Sequence, residues 1–167
     1  KLAWFLSRVF ARRGTQDQLN LQFQPKPYGP YADNLRHLLN ELDGSFLHCQ
    51  KRLRDAGPLD LIEFDEARRP EIEDFFTKAE NREYADVIEE TASVIDGFES
   101  PYGMELLSTV DWLLSANGRT PTVDGIRAGL AEWPAGRSAA QRKLRLFDDR
   151  SVAIALARLA PNASPPQ

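Results

Sequence analysis

The chain has 167 residues, 42% of them hydrophobic and 28% charged, with a net charge of −4. That length and apolar content suit one domain, or one domain with a small appendage, and exclude wholesale disorder. The lone cysteine, Cys49, excludes an internal disulfide and fits a reducing cytoplasm, and no apolar run reaches the ~18 residues that a membrane span needs.

Leu2 to Arg13 is predicted as an amphipathic helix rather than a signal peptide, with Leu2, Phe5, Leu6, Val9 and Phe10 at helical spacing. A chain that opens without methionine inside a helix is expected to be a fragment of a longer protein. Leu19 to Phe23 alternates as a short strand, and Pro25 to Tyr31 forms a rigid turn. A helix from Tyr31 to about Asp43 follows, then short strands at Ser45–Gln50 and Leu59–Phe64 around the Ala56-Gly57-Pro58 turn. Pro70 suits a first helical position, with Ile72, Phe75, Phe76 and Ala79 as the stripe behind it. Arg82–Asp96 and Met104–Ala116 are helices, the second rich in core residues. Three short helices, about Val123–Trp133, Ser138–Phe147 and Asp149–Ala160, close the chain before the tail Pro161–Gln167. The expected fold is α+β and predominantly helical. It has a small three-stranded sheet, a mixed body over 1–117, a packed winged-helix-like layer over 118–160, and a disordered tail.

Charge is unevenly distributed. Residues Lys1–Arg54 carry nine Lys/Arg against four Asp/Glu, Asp55–Asp111 carry seventeen acids against four bases, and the remainder is basic again. Such polarity selects partners of opposite sign. Catalytic motifs are sparse: His37, His48 and Cys49 lack the spacing of a zinc site, and no phosphate-cradling glycine loop occurs. No cofactor, metal or catalytic residue is therefore expected. Glu83, Asp86 and Glu90 recur along one helix at an interval close to that of successive phosphates. Such a row either mimics a nucleic-acid strand or is an ordinary solvated face.

Three stretches in order resemble the DarG antitoxin family. They are Leu19–Phe23 with Tyr28–Gly44, then Gly97–Trp112, then Trp133–Leu159 with its Arg142-Lys143-Leu-Arg-Leu-Phe147 run. The family commonly carries histidine where Asp111 stands. The resemblance implies the C-terminal, toxin-neutralising half of such a protein, opposing a DarT-type toxin that uses NAD to ADP-ribosylate single-stranded DNA. An upstream macrodomain would carry the hydrolase activity, leaving this chain without catalysis. On that basis the expected toxin-binding surface is Asp60, Glu63, Asp65, Glu66, Glu71, Glu73, Asp74, Glu83, Asp86, Glu89, Glu90 and Asp96. Tyr28 and Tyr31 serve either packing or partner contact. The partner is a basic DNA-binding groove, with no membrane and no tight nucleic-acid binding by the whole domain. The alternative is a helix-turn-helix-type duplex-binding autoregulatory module using Arg137, Arg142, Lys143, Arg145 and Arg150.

Overall fold

The computed structural model describes residues 1–56 and 60–160. In chain order the helices are α1 (Leu2–Arg13), α2 (Leu35–Leu42), α3 (Arg69–Thr77), α4 (Arg82–Ile95), α5 (Pro101–Ser115), α6 (Val123–Ala131), α7 (Arg137–Leu146) and α8 (Asp149–Leu159). The strands are β1 (Phe23–Lys26), β2 (Gly29–Ala32), β3 (Leu47–His48) and β4 (Glu63–Phe64). The chain divides into one compact unit formed by Lys1–Tyr31 and Val87–Gln167, and a second formed by Ala32–Asp86.

The first unit is organised around α5. Its run Glu105 to Asp111 is buried without interruption, as in a helix surrounded by partners on every side. Leu106, Leu107, Val110 and Leu113 meet Trp4 and Phe5 of α1, Val94 of α4, Ile126 and Leu130 of α6, Ala139 and Ala140 of α7, and Val152, Ala155 and Leu159 of α8 in one core cluster. Helix α5 begins three residues earlier than its apolar pattern predicts. The Ser100 hydroxyl accepts the Gly103 amide at 3.0 Å, and Pro101 sits in the first turn. Position 103 must lack a side chain, since a Cβ there would lie 2.7 Å from the Phe98 carbonyl oxygen. Thr122 and Asp148 cap α6 and α8 in the same way.

Strands β1 and β2 pair as a hairpin across Pro27 and Tyr28. Its prolines, Pro25 and Pro30, are tolerated because a two-stranded ladder consists only of edges. The pairing displaces the predicted strand from Leu19–Phe23 to Phe23–Lys26 and delays the predicted Tyr31 helix to Leu35. The Trp133 indole donates to the Lys26 carbonyl at 3.0 Å and so fastens the hairpin to the helical layer.

The second unit holds α2, the β3–β4 ladder, α3 and the first turns of α4. Leu47 pairs with Phe64 and His48 with Glu63, antiparallel. Among its described residues, Ala32 and Leu53 are the buried hydrophobic ones.

The predominantly helical α+β class is confirmed, but the single three-stranded sheet is not. The described strands form two separate two-stranded ladders, because Pro25 and Pro30 withhold N–H donors from further pairing and β3 and β4 are each only two residues long. No strand follows Phe64 among the described residues, so α6–α8 stand without the β-wing that a winged helix requires. The predicted Gly57-Pro58 turn and the tail Pro161–Gln167 lie outside the described residues. Among the described residues, no helix is long and apolar enough to cross a membrane.

Candidate functional site

The acidic positions singled out in the sequence are distributed over both units. Glu89, Glu90 and Asp96, with Tyr28 and Tyr31, belong to the first; Asp60, Glu63, Asp65, Glu66, Glu71, Glu73, Asp74, Glu83 and Asp86 belong to the second. Most have a basic neighbour. Glu66 is held by Arg69 at 2.6 Å, Glu71 by Arg68 at 3.2 Å, Asp74 by Lys78 at 3.4 Å and Asp60 by Lys51 at 3.1 Å. Asp65 meets His48 at 3.2 Å and caps the turn through the Ala67 amide, and both contacts hold its carboxyl below its usual range. Asp96 lies 3.8 Å from Arg158. Glu63 is exposed on β4, and Glu73 is exposed on α3, where it adds to the field that raises Arg69. Glu83 and Glu89 are exposed on α4, and Asp86 is half-buried.

Glu90 breaks the predicted anion row most decisively. Arg12 and Arg13, at the end of α1, both donate to its carboxylate, the second at 2.9 Å. The Arg13 hydrogen bond outweighs desolvation and, with Arg12, keeps Glu90 below its ordinary value. Those arginines lie some 77 residues away in the chain, so helix spacing could not show them.

Two buried charge clusters were not foreseen as clusters in the sequence. On α5 the Glu105 carboxylate accepts from Arg142 Nη2 at 2.9 Å and from Lys143 Nζ at 3.0 Å, and Lys143 also donates to Thr109 Oγ1 at 3.2 Å. The Lys143 side chain is fully buried, its ammonium 4.8 Å from the Trp133 ring centre and 5.5 Å from that of Phe147. Burial pushes Glu105 upward, but Arg142 and Lys143 overcome it and hold the group ionised; burial pulls Lys143 down. Arg142 also lies 4.7 Å from the ring centre of exposed Tyr28, so Tyr28 has an intramolecular cation beside it. Two positions of the proposed duplex-binding row, Arg142 and Lys143, are thus turned inward. Tyr31 stays exposed.

The second cluster joins α1 to α5. Trp4 Nε1 donates to Asp111 Oδ2 at 2.8 Å and Arg8 Nε donates to the same oxygen at 3.0 Å. Burial pushes the Asp111 carboxyl up despite Arg8. A buried carboxylate inside an apolar helix was the available signal for both clusters, since such a group requires partners.

Concave surface occurs within each unit. A groove of about 350 Å3 in the first is lined by Phe98, Tyr102, Leu106, Ile154 and Arg158, among others. Its polar groups are engaged: Tyr102 donates to Ser151 Oγ at 3.0 Å, and Arg158 to the Ser93 carbonyl at 3.0 Å. In the second unit a cavity of about 510 Å3 is lined by Asn40, Asp43, Gly44, Arg52 and Arg54. Among the described residues, no group of three or more His, Cys, Asp or Glu could hold a metal ion.

No family model matches the chain. It is 30% identical over 159 residues to proteins named DNA ADP-ribosyl glycohydrolase from Mycobacterium bovis and Mycobacterium tuberculosis, covering 92% of this chain and 42% of each relative. It is 32% identical over 126 residues to a protein of the same name from Thermus aquaticus, covering 71% of this chain and 30% of that relative. The chain thus spans less than half the length of the relatives it matches. Their names place the chain's similarities in bacterial ADP-ribosylation chemistry on DNA. They also overturn two expectations, that the function is a strand-mimicking antitoxin or a duplex-binding autoregulator, and that this chain is not enzymatic. The proteins matched over nearly all of this chain are named for an enzymatic reaction.

Proposed function

We propose that this chain works within a DarG-like DNA ADP-ribosyl glycohydrolase, beside the macrodomain that would complete the enzyme. The observation that carries this is the 30% identity over 92% of the chain to proteins of that name. In the reaction, water cleaves the glycosidic bond joining ADP-ribose to DNA. The hydroxyl goes to the sugar carbon, the proton returns to the nucleic acid, and free ADP-ribose leaves.

Both the modified DNA and the released group are polyanions, so residues of this chain that serve the reaction need cations able to reach phosphate. The α1–α5–α7 core supplies a rigid support, since Glu105 and Asp111 fix three helices through buried charge-assisted hydrogen bonds. The full-length protein, incubated with an oligonucleotide carrying one ADP-ribose, is expected to return the unmodified oligonucleotide and free ADP-ribose, read by mass spectrometry. An oligonucleotide that keeps its modification at every enzyme concentration removes this reading.

A further inference from the structure

In the second unit the bases are mostly matched to acids: Lys51 to Asp60, Arg68 to Glu71, Arg69 to Glu66 and Lys78 to Asp74. Arg52 and Arg54 are arranged differently. Both line the 510 Å3 cavity, and they flank Leu53, which is buried in the 3-10 turn Leu53–Asp55. The Asp43 carboxylate, at the end of α2, accepts the Leu53 amide at 3.0 Å and ties that turn to the helix end. With the middle residue anchored inward, the two arginines are left at the cavity wall.

The same bond occupies one oxygen of Asp43, the carboxylate that shares the lining. Arg54 meets Asp55 at 3.6 Å, but both side chains are about 60% exposed, so solvent screens that contact. Asn40 and Gly44 complete the described lining.

We propose that this cavity binds the phosphate groups of the substrate, whether the diphosphate of an ADP-ribosyl group or the phosphodiester of the DNA that carries it. Guanidinium forks match phosphate oxygens in geometry as well as charge, and a cavity of this size accommodates a small ligand. The identity of the ligand rests on the glycohydrolase reading above; the preference for phosphate comes from the lining itself.

The test is calorimetric titration of this chain with pyrophosphate, with ADP-ribose, and with a short single-stranded oligonucleotide. Saturable binding is expected for pyrophosphate and for at least one of the other two, weakened about tenfold by Arg52→Ala or Arg54→Ala. Arg145→Ala, an exposed arginine of the other unit, is expected to change nothing. ADP-ribose binding without the oligonucleotide assigns the cavity to the modification, and the reverse assigns it to the strand. No binding, binding of pyrophosphate alone, undiminished binding by a folded double variant, or equal weakening by Arg145→Ala overturns the proposal. Release of ADP-ribose from modified DNA is a separate readout. Binding without release keeps the cavity and removes the enzymatic reading; release without binding does the opposite.

Discussion

The two units of this chain are stabilised by different physics. The first buries seventeen of its described residues in one apolar cluster around α5, and its buried charges pair beside that cluster. The second has Ala32 and Leu53 as buried hydrophobics among its described residues, while Leu61, Ile62 and Phe75 are exposed. Its described contacts are short ladders, capped turns and solvent-screened surface ion pairs. The difference teaches that an acidic segment can hold many of its carboxylates in ion pairs.

The largest effect should come from breaking the buried charge cluster. Glu105→Ala leaves Lys143 buried without its carboxylate and is expected to cost about 3–5 kcal/mol in denaturant unfolding. The double change Glu105→Gln with Lys143→Met should recover most of that, because no fully buried charge is left without its partner and Arg142 keeps access to solvent. Equal losses in the single and double variants would show that volume, not charge, sets the cost.

Next in size is a paired truncation. Leu107→Ala, at a fully buried site, should cost about 2–5 kcal/mol, and Leu53→Ala should fall at or below the lower end, since so little core surrounds it. Native-state hydrogen exchange sharpens the same contrast. Amides of α2 and α3 should exchange through local opening, while those of α5 should require global unfolding. Matching protection in the two units would dissolve the distinction.

The smallest effect is a pH dependence. Glu90 titrates below its ordinary 4.5 in the folded chain because of Arg13 and Arg12. Its contribution is therefore present above about 4.5 and is lost as pH falls through the lower folded value. Glu90→Gln should lower Tm slightly near neutral pH, by a few tenths of a kcal/mol in stability, with the gap closing in acid. A gap that widens in acid would reverse the sign of this assignment.

Helices were legible wherever apolar spacing was strong. Leu2–Arg13 matches its prediction, and α4 and α6–α8 differ only at their ends. The strands were less legible because prolines and two-residue ladders leave little alternation to detect. The ion pairs divide the same way. Glu66 with Arg69, Arg68 with Glu71 and Asp74 with Lys78 lie three or four residues apart and were available from spacing. Arg12 and Arg13 reaching Glu90, and Trp4 reaching Asp111, join residues far apart in the chain, which only the fold brings together. Signed charge along a sequence reports how many ions there are, not which are matched.

The most direct test removes this segment from the full-length protein. Release of ADP-ribose from a modified oligonucleotide would be followed at limiting substrate for the full-length protein and for the same protein lacking residues 1–160. The account predicts slower release without the segment, with the loss appearing as weaker substrate binding. Identical rates for the two proteins would contradict it.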